Sequence, residues 1–250
     1  MDLHVERIGQ GKSVVMLHSG GGDSRDWTFL APLLSEHYQV IMVDARGCGQ
    51  SPAPIGPANY VADLLELLDE LQLEKATLLG LQVGGQIATE FALQHSERVQ
   101  ELVLLTPELA NFRHASDICI YHRTVMEALP DVAHMVELAM EAPFFPVIKN
   151  SPHFDFMKTI NLHNTHRLME WAASGPPIWP TIPAIEHLNE LEPRTLHIHG
   201  TLDHPDSKKI AEQYEVAQHI QFATIVGADQ KLNFTHPEEL AELIVSFLKE

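Results

Sequence analysis

Short, nearly continuous apolar runs alternate with longer amphipathic stretches along most of the chain. Six runs rich in valine, isoleucine and leucine predict strands that are buried on both faces of a parallel sheet. They cover residues 13–18, 39–44, 76–80, 101–106, 195–199 and 221–226. Helical spacing of apolar residues follows at 25–37, 58–73, 85–95, 207–217 and 238–249. This alternation predicts an α/β protein with a mostly parallel sheet and helices on both faces.

The alternation stops between residues 109 and 193. That segment is rich in histidine, methionine, phenylalanine and proline, and it contains no convincing strand. We predict that it forms a helical cap over the C-terminal edge of the sheet, where pockets of such sheets form. Residues 1–108 and 194–250 then make up the core, and core and cap together form a single domain.

Composition and charge narrow the classes of partner. The chain has 250 residues, 45% of them hydrophobic, and a formal net charge of −18. That charge argues against nucleic acid and anionic membrane surfaces as partners, since both attract basic patches. No apolar stretch reaches the roughly 20 residues that span a bilayer, and the start MDLHVERIGQGKS has no signal-like apolar region. Cys48 and Cys119 are too few for a disulfide framework, so we expect a reduced, cytoplasmic protein.

Three loops that follow strand ends are predicted to meet at the C-terminal edge of the sheet. Two of them, HSGGGD and DARGCGQS, are rich in glycine. The third lies within LLGLQVGGQ, where Gly80, Gly84 and Gly85 have the spacing of a nucleophile elbow, a sharp strand-to-helix turn. The central position of such a turn carries the attacking side chain. Here it is Gln82, which cannot attack a substrate.

With these motifs the chain resembles the α/β-hydrolase family, in its branch of small lactonases and esterases with a helical cap. The resemblance covers nearly the whole chain, and it rests on VVMLHSGGGDSRDW, VIMVDARGCGQS, LLGLQVGGQIATEFALQHSERVQELVLLTP, PAIEHLNELEPRTLHIHGTLDHPD and VGADQKLNFTHPEEL. It implies an α/β-hydrolase fold. Relatives usually begin with a two-stranded hairpin, but only LHVERIG precedes SVVMLH here. We therefore expect about seven strands, one fewer than usual.

The resemblance also implies a position for each member of a serine–histidine–acid triad. The nucleophile position falls on Gln82, and the acid position falls on Asp203 in the pattern Gly-x-x-Asp. The histidine position falls on Gln230. Relatives usually read Gly-Ala-Gly-His there, whereas this chain reads Gly227-Ala228-Asp229-Gln230. Two members of the triad are thus glutamine.

The remaining pocket residues also follow from the resemblance. The backbone amides of Gly20 and Val83 would form the oxyanion hole, the pair of N–H donors that stabilises a developing negative charge. Ser19 and Asp229 would lie beside it. Asp229 replaces a glycine of the usual pattern, so it brings an additional carboxylate next to the histidine position.

Neither glutamine can supply the chemistry of the residue it replaces. A carboxamide does not ionise usefully near neutral pH, so Gln82 cannot attack and Gln230 cannot take a proton. In a working triad, loss of the nucleophile or the base costs about a millionfold in turnover. No serine occurs between Ser51 and Ser96 that a shifted alignment could bring to the elbow. Cys48 approaches the pocket rim, but no base is paired with it in the sequence.

One hypothesis is that the two glutamines and Asp203 form a single hydrogen-bonded set. A Gln230 amide that donates to the Asp203 carboxylate, and whose carbonyl accepts from the Gln82 amide, would keep all three buried groups satisfied. Neutral drift after loss of activity explains the same substitutions without any such contact. Both explanations stay open from the sequence.

Sixteen histidines raise the question of a metal site. His163 and His166 stand three residues apart, and His197 and His199 share one face of a strand. Neither set has a third ligand at the spacing of a known metal motif. We predict no metal and no other cofactor.

We predict a protein that binds a small, partly apolar molecule under the cap and does not hydrolyse it. One alternative is an enzyme that uses Asp203 or Asp229 as a base together with the oxyanion amides. The other is a protein whose fold serves only assembly. An open cavity would favour the first two hypotheses over assembly, whereas a cavity plugged by Gln82 would favour assembly. A strongly raised pKa at either carboxyl would favour the enzyme over the silent binder.

Overall fold

The computed structural model of the chain describes residues 2–142 and 144–250. Seven strands of the described chain form one sheet in the order β1-β3-β2-β4-β5-β6-β7. The strands are Val5–Ile8 (β1), Ser13–Leu17 (β2), Gln39–Val43 (β3), Ala76–Leu81 (β4), Val99–Leu105 (β5), Arg194–Gly200 (β6) and Ile220–Ile225 (β7). Only β1 is antiparallel to its neighbour; all other pairs are parallel. The fold class and the number of strands are confirmed.

The helices lie between the strands, along the segment before β6 and after β7. They are Ala31–Ser35 (α1), Tyr60–Glu70 (α2), Val83–Gln94 (α3), Ser116–Glu127 (α4), Val132–Met140 (α5), Phe154–Trp171 (α6), Pro205–Tyr214 (α7), Leu232–Thr235 (α8) and Pro237–Lys249 (α9). In the described residues, no helix combines the length and the apolar character that crossing a membrane would require.

One predicted helix is divided in the structure. The pattern at residues 25–37 gives a 3-10 turn over Ser24–Trp27 and then the short α1. Asp23 caps the first piece by accepting a hydrogen bond from the Arg25 amide at 3.0 Å. Pro32 lies in the first turn of α1 and has no N–H to donate to a preceding turn, so it begins a new helix and does not continue the first.

The sheet is covered on both faces, as the runs of apolar residues predict. On one face, α2, α3 and α7 pack their apolar sides against the strands, with Leu68, Phe91 and Tyr214 at 2% exposure or less. On the other face, α1 and α9 contribute Leu34 and Ile244, which are fully buried. Strand β4 lies in the middle of the sheet and all six of its residues are buried.

The segment between β5 and β6 forms the cap, and its described residues include no strand. Its helices α4, α5 and α6 carry a small apolar cluster of their own, which includes Met140, Ile148 and Met157. Phe234 of α8 belongs to the same cluster, so the core supplies part of the surface on which the cap packs. The domain boundaries at 109 and 193 stay a prediction.

The turn from β4 into α3 brings backbone into contact with backbone. A Cβ atom at Gly84 would lie 2.1 Å from the carbonyl oxygen of Leu17 in β2, and one at Gly80 would lie 2.4 Å from the carbonyl oxygen of Gly84. No rotamer change relieves such an overlap, because the atoms belong to the main chain. The glycines of the elbow are therefore required by the packing of α3 on β2 and β4, whatever residue stands at the centre.

Replacing Gly84 by alanine should destabilise the protein strongly, because the overlap can be relieved only by moving α3 away from β2. We expect Gly84→Ala to lower the free energy of unfolding by about 1–3 kcal/mol or more, as overpacking does in other cores. The measurement is the midpoint of urea unfolding. Gly56→Ala is the matched control, since a Cβ atom there meets nothing within 4 Å. Its stability should stay within about 0.5 kcal/mol of the unchanged protein. Equal stability of the two variants would show that the turn relaxes freely.

Candidate functional site

Gln82 lies at the centre of the turn between β4 and α3 in a left-handed conformation, with φ 50° and ψ −112°. Few side chains adopt such a backbone, and surrounding contacts must hold it in place. The Gln82 amide donates to the carbonyl of Leu105 at 3.0 Å, and its carbonyl accepts from the amides of Gln86 and Glu108, both at 3.0 Å. The strained geometry of a strand-to-helix elbow is thus present with a carboxamide at its centre.

The two glutamines contact each other. The Nε2 of Gln82 donates to the Oε1 of Gln230 at 3.1 Å, which places Gln230 where a base would meet a nucleophile. The Nε2 of Gln230 donates to the hydroxyl of Ser207 in α7 at 2.9 Å. The hypothesis that this amide donates to Asp203 is therefore wrong, while the expected contact between the glutamines is present. Ser207 takes the donor because its hydroxyl, also buried, lies within reach.

Asp203 is not hydrogen-bonded to Gln230. Its Oδ2 accepts from the Gly200 amide at 3.0 Å, but its buried Oδ1 has no hydrogen bond. Burial raises the pKa of Asp203 to about 7, and the nearby carboxylate of Asp229 adds to the effect. Asp203 does not line either cavity beneath the cap. The acid position is retained in the sequence, yet its carboxyl is not connected to Gln230.

Asp229 joins the core to the cap. Its Oδ2 accepts from the amides of Val147 and Ile148 at 2.7 and 3.0 Å, and its Oδ1 accepts from the amide of Lys231 at 3.0 Å. The residue is fully buried and lines neither cavity. Three backbone N–H groups thus donate to the Asp229 carboxylate, the group that the sequence suggests as a base. Its two partners in the cap lie about eighty positions away, so no local pattern could reveal them.

Lys231 is a site residue that the sequence analysis misses. Its side chain is only 2% exposed, and its Nζ donates to the Ser19 hydroxyl at 3.1 Å and to the Oε1 of Gln82 at 3.4 Å. Burial lowers the pKa of Lys231, while the carboxylates of Asp26 and Asp229 oppose the shift. Lysine is rarely buried, and a single lysine beside Gln230 carries no sequence signal that distinguishes it from one on the surface.

Ser19 is a buried link between Lys231 and Asp26. Its hydroxyl donates to the Oδ2 of Asp26 at 2.6 Å, and its amide donates to the same oxygen at 3.0 Å. Because the proton of the Ser19 hydroxyl is directed at Asp26, the oxygen is left to accept from Lys231. The sequence places Ser19 at the pocket, and the structure places it in the wall of the smaller cavity.

The two residues of the expected oxyanion hole lie next to each other. A Cβ atom at Gly20 would lie 3.2 Å from the Cγ2 of Val83. Val83 is the first residue of α3, where backbone N–H groups have no acceptor within the helix and favour negative charge. Both residues line both cavities. Their role as oxyanion donors stays a prediction.

Two cavities lie beneath the cap. The larger has a volume of about 480 Å³ and includes Gln82, Glu108, His122, Phe145 and Lys231 in its wall. The smaller, of about 200 Å³, is mainly apolar and is lined by Leu64, Ile87 and Trp171 among others. Gln82 therefore does not plug the space under the cap. In the described parts of the chain, no group of three or more His, Cys, Asp or Glu residues is arranged to hold a metal ion.

Cys48, the thiol considered as an alternative nucleophile, lies in the wall of the smaller cavity together with His18. The amide of Ala45 donates to the Nε2 of His18 at 2.9 Å, and the Nδ1 of His18 donates to the carbonyl of Ser19 at 2.8 Å. Both ring nitrogens are thus bound to the main chain. Burial lowers the pKa of His18, but a side-chain hydrogen bond to Cys48 and the charges of Cys48 and Asp26 together raise it to about 9, so His18 and Cys48 are in contact in the cavity wall.

Comparison with known proteins agrees with this geometry. Residues 12–128 match the family model described as alpha/beta hydrolase fold. The enol-lactonase from Burkholderia xenovorans superposes with a TM-score of 0.82 and 23% identity, covering 99% of this chain and 96% of that structure. The chain has the alpha/beta hydrolase fold. A hydrolase from Pseudomonas aeruginosa superposes equally well, with a TM-score of 0.82 and 25% identity over 99% of this hydrolase-fold chain and 94% of that one.

Curated relatives of this hydrolase-fold protein include esterases. The pimeloyl-[acyl-carrier protein] methyl ester esterase of Aeromonas hydrophila is 27% identical over 268 residues, which cover 99% of this chain and 100% of the esterase. A putative 2-succinyl-6-hydroxy-2,4-cyclohexadiene-1-carboxylate synthase of Bacillus subtilis is 39% identical over 98 residues, but the match spans only 37% of this chain and 35% of that relative.

Asp203 should make stability depend on pH. The folded protein holds a proton on Asp203 up to about pH 7, whereas the unfolded chain releases it near pH 3.8. The folded state binds more protons in this interval, so the free energy of unfolding falls as pH rises through it. Asp203→Asn removes this loss, because the amide stays neutral.

We expect the gain in the free energy of unfolding from Asp203→Asn to be larger at pH 8 than at pH 5, by on the order of 1–3 kcal/mol, because only part of the interval between the two pKa values has been crossed at pH 5. Urea unfolding at both pH values measures the difference. The exposed Glu66→Gln is the control and should show no such change between the two pH values. A gain at pH 5 as large as that at pH 8 would contradict the assignment of the effect to the Asp203 charge.

Proposed function

We propose that this hydrolase-fold protein binds a small, partly apolar molecule in the cavities under its cap and does not hydrolyse it. The observation that carries the proposal is the hydrogen bond between Gln82 and Gln230 at the two positions where a hydrolase of this fold needs a nucleophile and a base. Neither side chain ionises near neutral pH. This arrangement provides neither the nucleophile nor the base of the serine esterase mechanism.

The polar groups around Gln82 form a chain of satisfied contacts. Lys231 donates to Gln82, Gln82 donates to Gln230, and Gln230 donates to Ser207. Each contact fixes the orientation of the next amide, because every carboxamide here uses its oxygen as acceptor and its nitrogen as donor. Such an arrangement supports a stable cavity wall. It supplies no group that could attack an ester.

The shape of the cavities indicates what kind of molecule fits. The smaller cavity is mainly apolar, and the larger has polar groups at Gln82, Lys231 and His122. Both share Gly20 and Val83 as walls. A ligand with an apolar portion and one polar group would match both chemistries, with the polar group near the amides of those two residues.

Of the alternatives, an assembly-only protein has the least support, because the space under the cap is open and Gln82 does not fill it. The raised pKa of Asp203 is the feature expected of the enzyme alternative. However, Asp203 does not line the cavity, and three amides occupy Asp229. Neither carboxyl is placed to take a proton from a bound molecule. The silent binder therefore remains the better supported function.

Hydrolysis of p-nitrophenyl butyrate tests the proposal. The unchanged protein should release no more than one equivalent of nitrophenol per chain beyond the amount that uncatalysed hydrolysis releases. Gln82→Ser/Gln230→His should turn over repeatedly, at least about a hundredfold faster, because it restores a nucleophile and a base beside the oxyanion amides. Gln82→Ala/Gln230→His is the matched control, which has the base without the nucleophile. It should behave as the unchanged protein does.

Sustained turnover by the unchanged protein, many equivalents per chain, would overturn the proposal. It would mean that a nucleophile other than residue 82 acts in the cavity. The circular dichroism spectrum and melting temperature of each variant should be recorded alongside, so that an inactive double variant is not confused with an unfolded one.

A further inference from the structure

We propose that the Lys231 amine is a carbonyl-binding site, which condenses with an aldehyde or ketone group of a molecule in the larger cavity to form an imine. The proposal rests on the proposed function in one respect, since it places the ligand in the same cavity. It adds the chemical class of the ligand and a covalent but reversible mode of attachment. No resemblance to a serine hydrolase implies such a role for a lysine at this position.

The Lys231 Nζ makes two hydrogen bonds with the described residues, so one of its tetrahedral positions has no protein partner there. Its two protein partners, the Ser19 oxygen at 3.1 Å and the Gln82 Oε1 at 3.4 Å, both act as acceptors. Ser19 is an acceptor because its own proton goes to Asp26 at 2.6 Å. The amide of Gln82 is oriented by its bond to Gln230. Two N–H groups of a neutral amine satisfy both acceptors, which leaves the lone pair for the cavity.

The surroundings of the amine favour the neutral form. Lys231 is 2% exposed, which disfavours the ammonium, whereas the ring of Phe145, 5.7 Å from its Nζ, favours it. The carboxylates that face it, Asp26 and Asp229, are already bonded to Ser19 and to backbone amides respectively. By contrast, Lys149 and Lys209 pair directly with carboxylates at 3.0 Å. Burial lowers the pKa of Lys231, so a larger fraction of it is nucleophilic at neutral pH than of an exposed lysine.

The reaction balances with the groups present and with water. The lone pair of the Lys231 nitrogen attacks the carbonyl carbon, and the electrons of the carbonyl π bond move to its oxygen. The amides of Gly20 and Val83 line the same cavity and are available to stabilise that oxygen. The two hydrogens of the amine and the carbonyl oxygen then leave as water, and a carbon–nitrogen double bond remains. Water reverses the reaction, so no oxidant or reductant is needed.

The substitutions at the triad positions fit this chemistry. A serine at position 82 would compete for the same electrophile, and a glutamine there does not. The carboxamide of Gln82 instead holds the Lys231 amine by accepting one of its hydrogens. The residue that replaces the nucleophile thus positions a different nucleophile in the same cavity.

Reductive trapping on the unchanged, full-length protein tests the inference. The protein is incubated with benzaldehyde and sodium cyanoborohydride at pH 7.5, and the modified lysines are located by peptide mass spectrometry. We expect Lys231 to acquire the benzyl group at least tenfold faster than any exposed lysine, since exposed lysines are almost fully protonated at this pH. The intact mass should show one fast addition at Lys231 besides the reaction of the α-amino terminus, and the peptide map assigns the two separately.

Three variants sharpen the result. Lys231→Met should abolish the fast addition, and Lys231→Arg should abolish it while keeping a hydrogen-bond donor at the site. Lys12→Met, which removes an exposed lysine, is the matched control and should leave the fast addition unchanged. Because the modified lysine is mapped in the unchanged protein, the test holds even if a substitution at Lys231 prevents folding.

Two outcomes would overturn the inference. One is labelling spread over the exposed lysines with Lys231 unmodified in folded protein. The other is binding of benzoate that Lys231→Arg retains and Lys231→Met loses, without fast trapping of benzaldehyde; the amine would then be an ammonium that binds anions. Either result leaves the proposed function standing if the ester assay shows no turnover, so the two failures are distinguishable.

Discussion

The close approach of backbone to backbone at the end of β4 is the constraint on which this molecule depends. Helix α3 can pack on β2 and β4 only because Gly80 and Gly84 place no side chain between them. The same turn forces Gln82 into a left-handed conformation and directs its side chain to the space under the cap. The shape of this elbow thus depends on backbone packing. Catalysis by such a turn depends in addition on a nucleophilic residue at its centre. The turn therefore needs no nucleophile at its centre to keep its shape.

The polar groups around Gln82 are unevenly satisfied. Gln82 and Gln230 satisfy each other, and Ser207 and Lys231 complete their contacts. Asp203 has no such replacement, and its buried Oδ1 is unpaired. An unsatisfied buried polar atom costs about 1–3 kcal/mol, and protonation of Asp203 near neutral pH reduces the part of that cost that comes from charge. Its retention is not explained by a contact in this structure.

Asp229 has a structural role, because its carboxylate joins the loop after β7 to the cap. A carboxylate at this position binds the backbone of the cap at Val147 and Ile148. Next to it, Lys231 turns inward toward Gln82 and Ser19. The loop after β7, which in a hydrolase would present a histidine, here fastens the cap and brings an amine into the cavity.

The sequence by itself determined the α/β architecture, the number of strands and the positions of the loops that meet at the C-terminal edge of the sheet. These follow from apolar periodicity and from glycine at turns, which are local properties of the chain. It also determined that residues 82 and 230 are glutamines, whose carboxamides do not ionise near neutral pH. Only the tertiary structure decided that Gln230 binds Ser207 and not Asp203, that Asp229 fastens the cap, and that Lys231 is buried in the cavity wall. Those outcomes depend on groups distant in sequence competing for the same donors and acceptors, and on burial, and no local pattern records either.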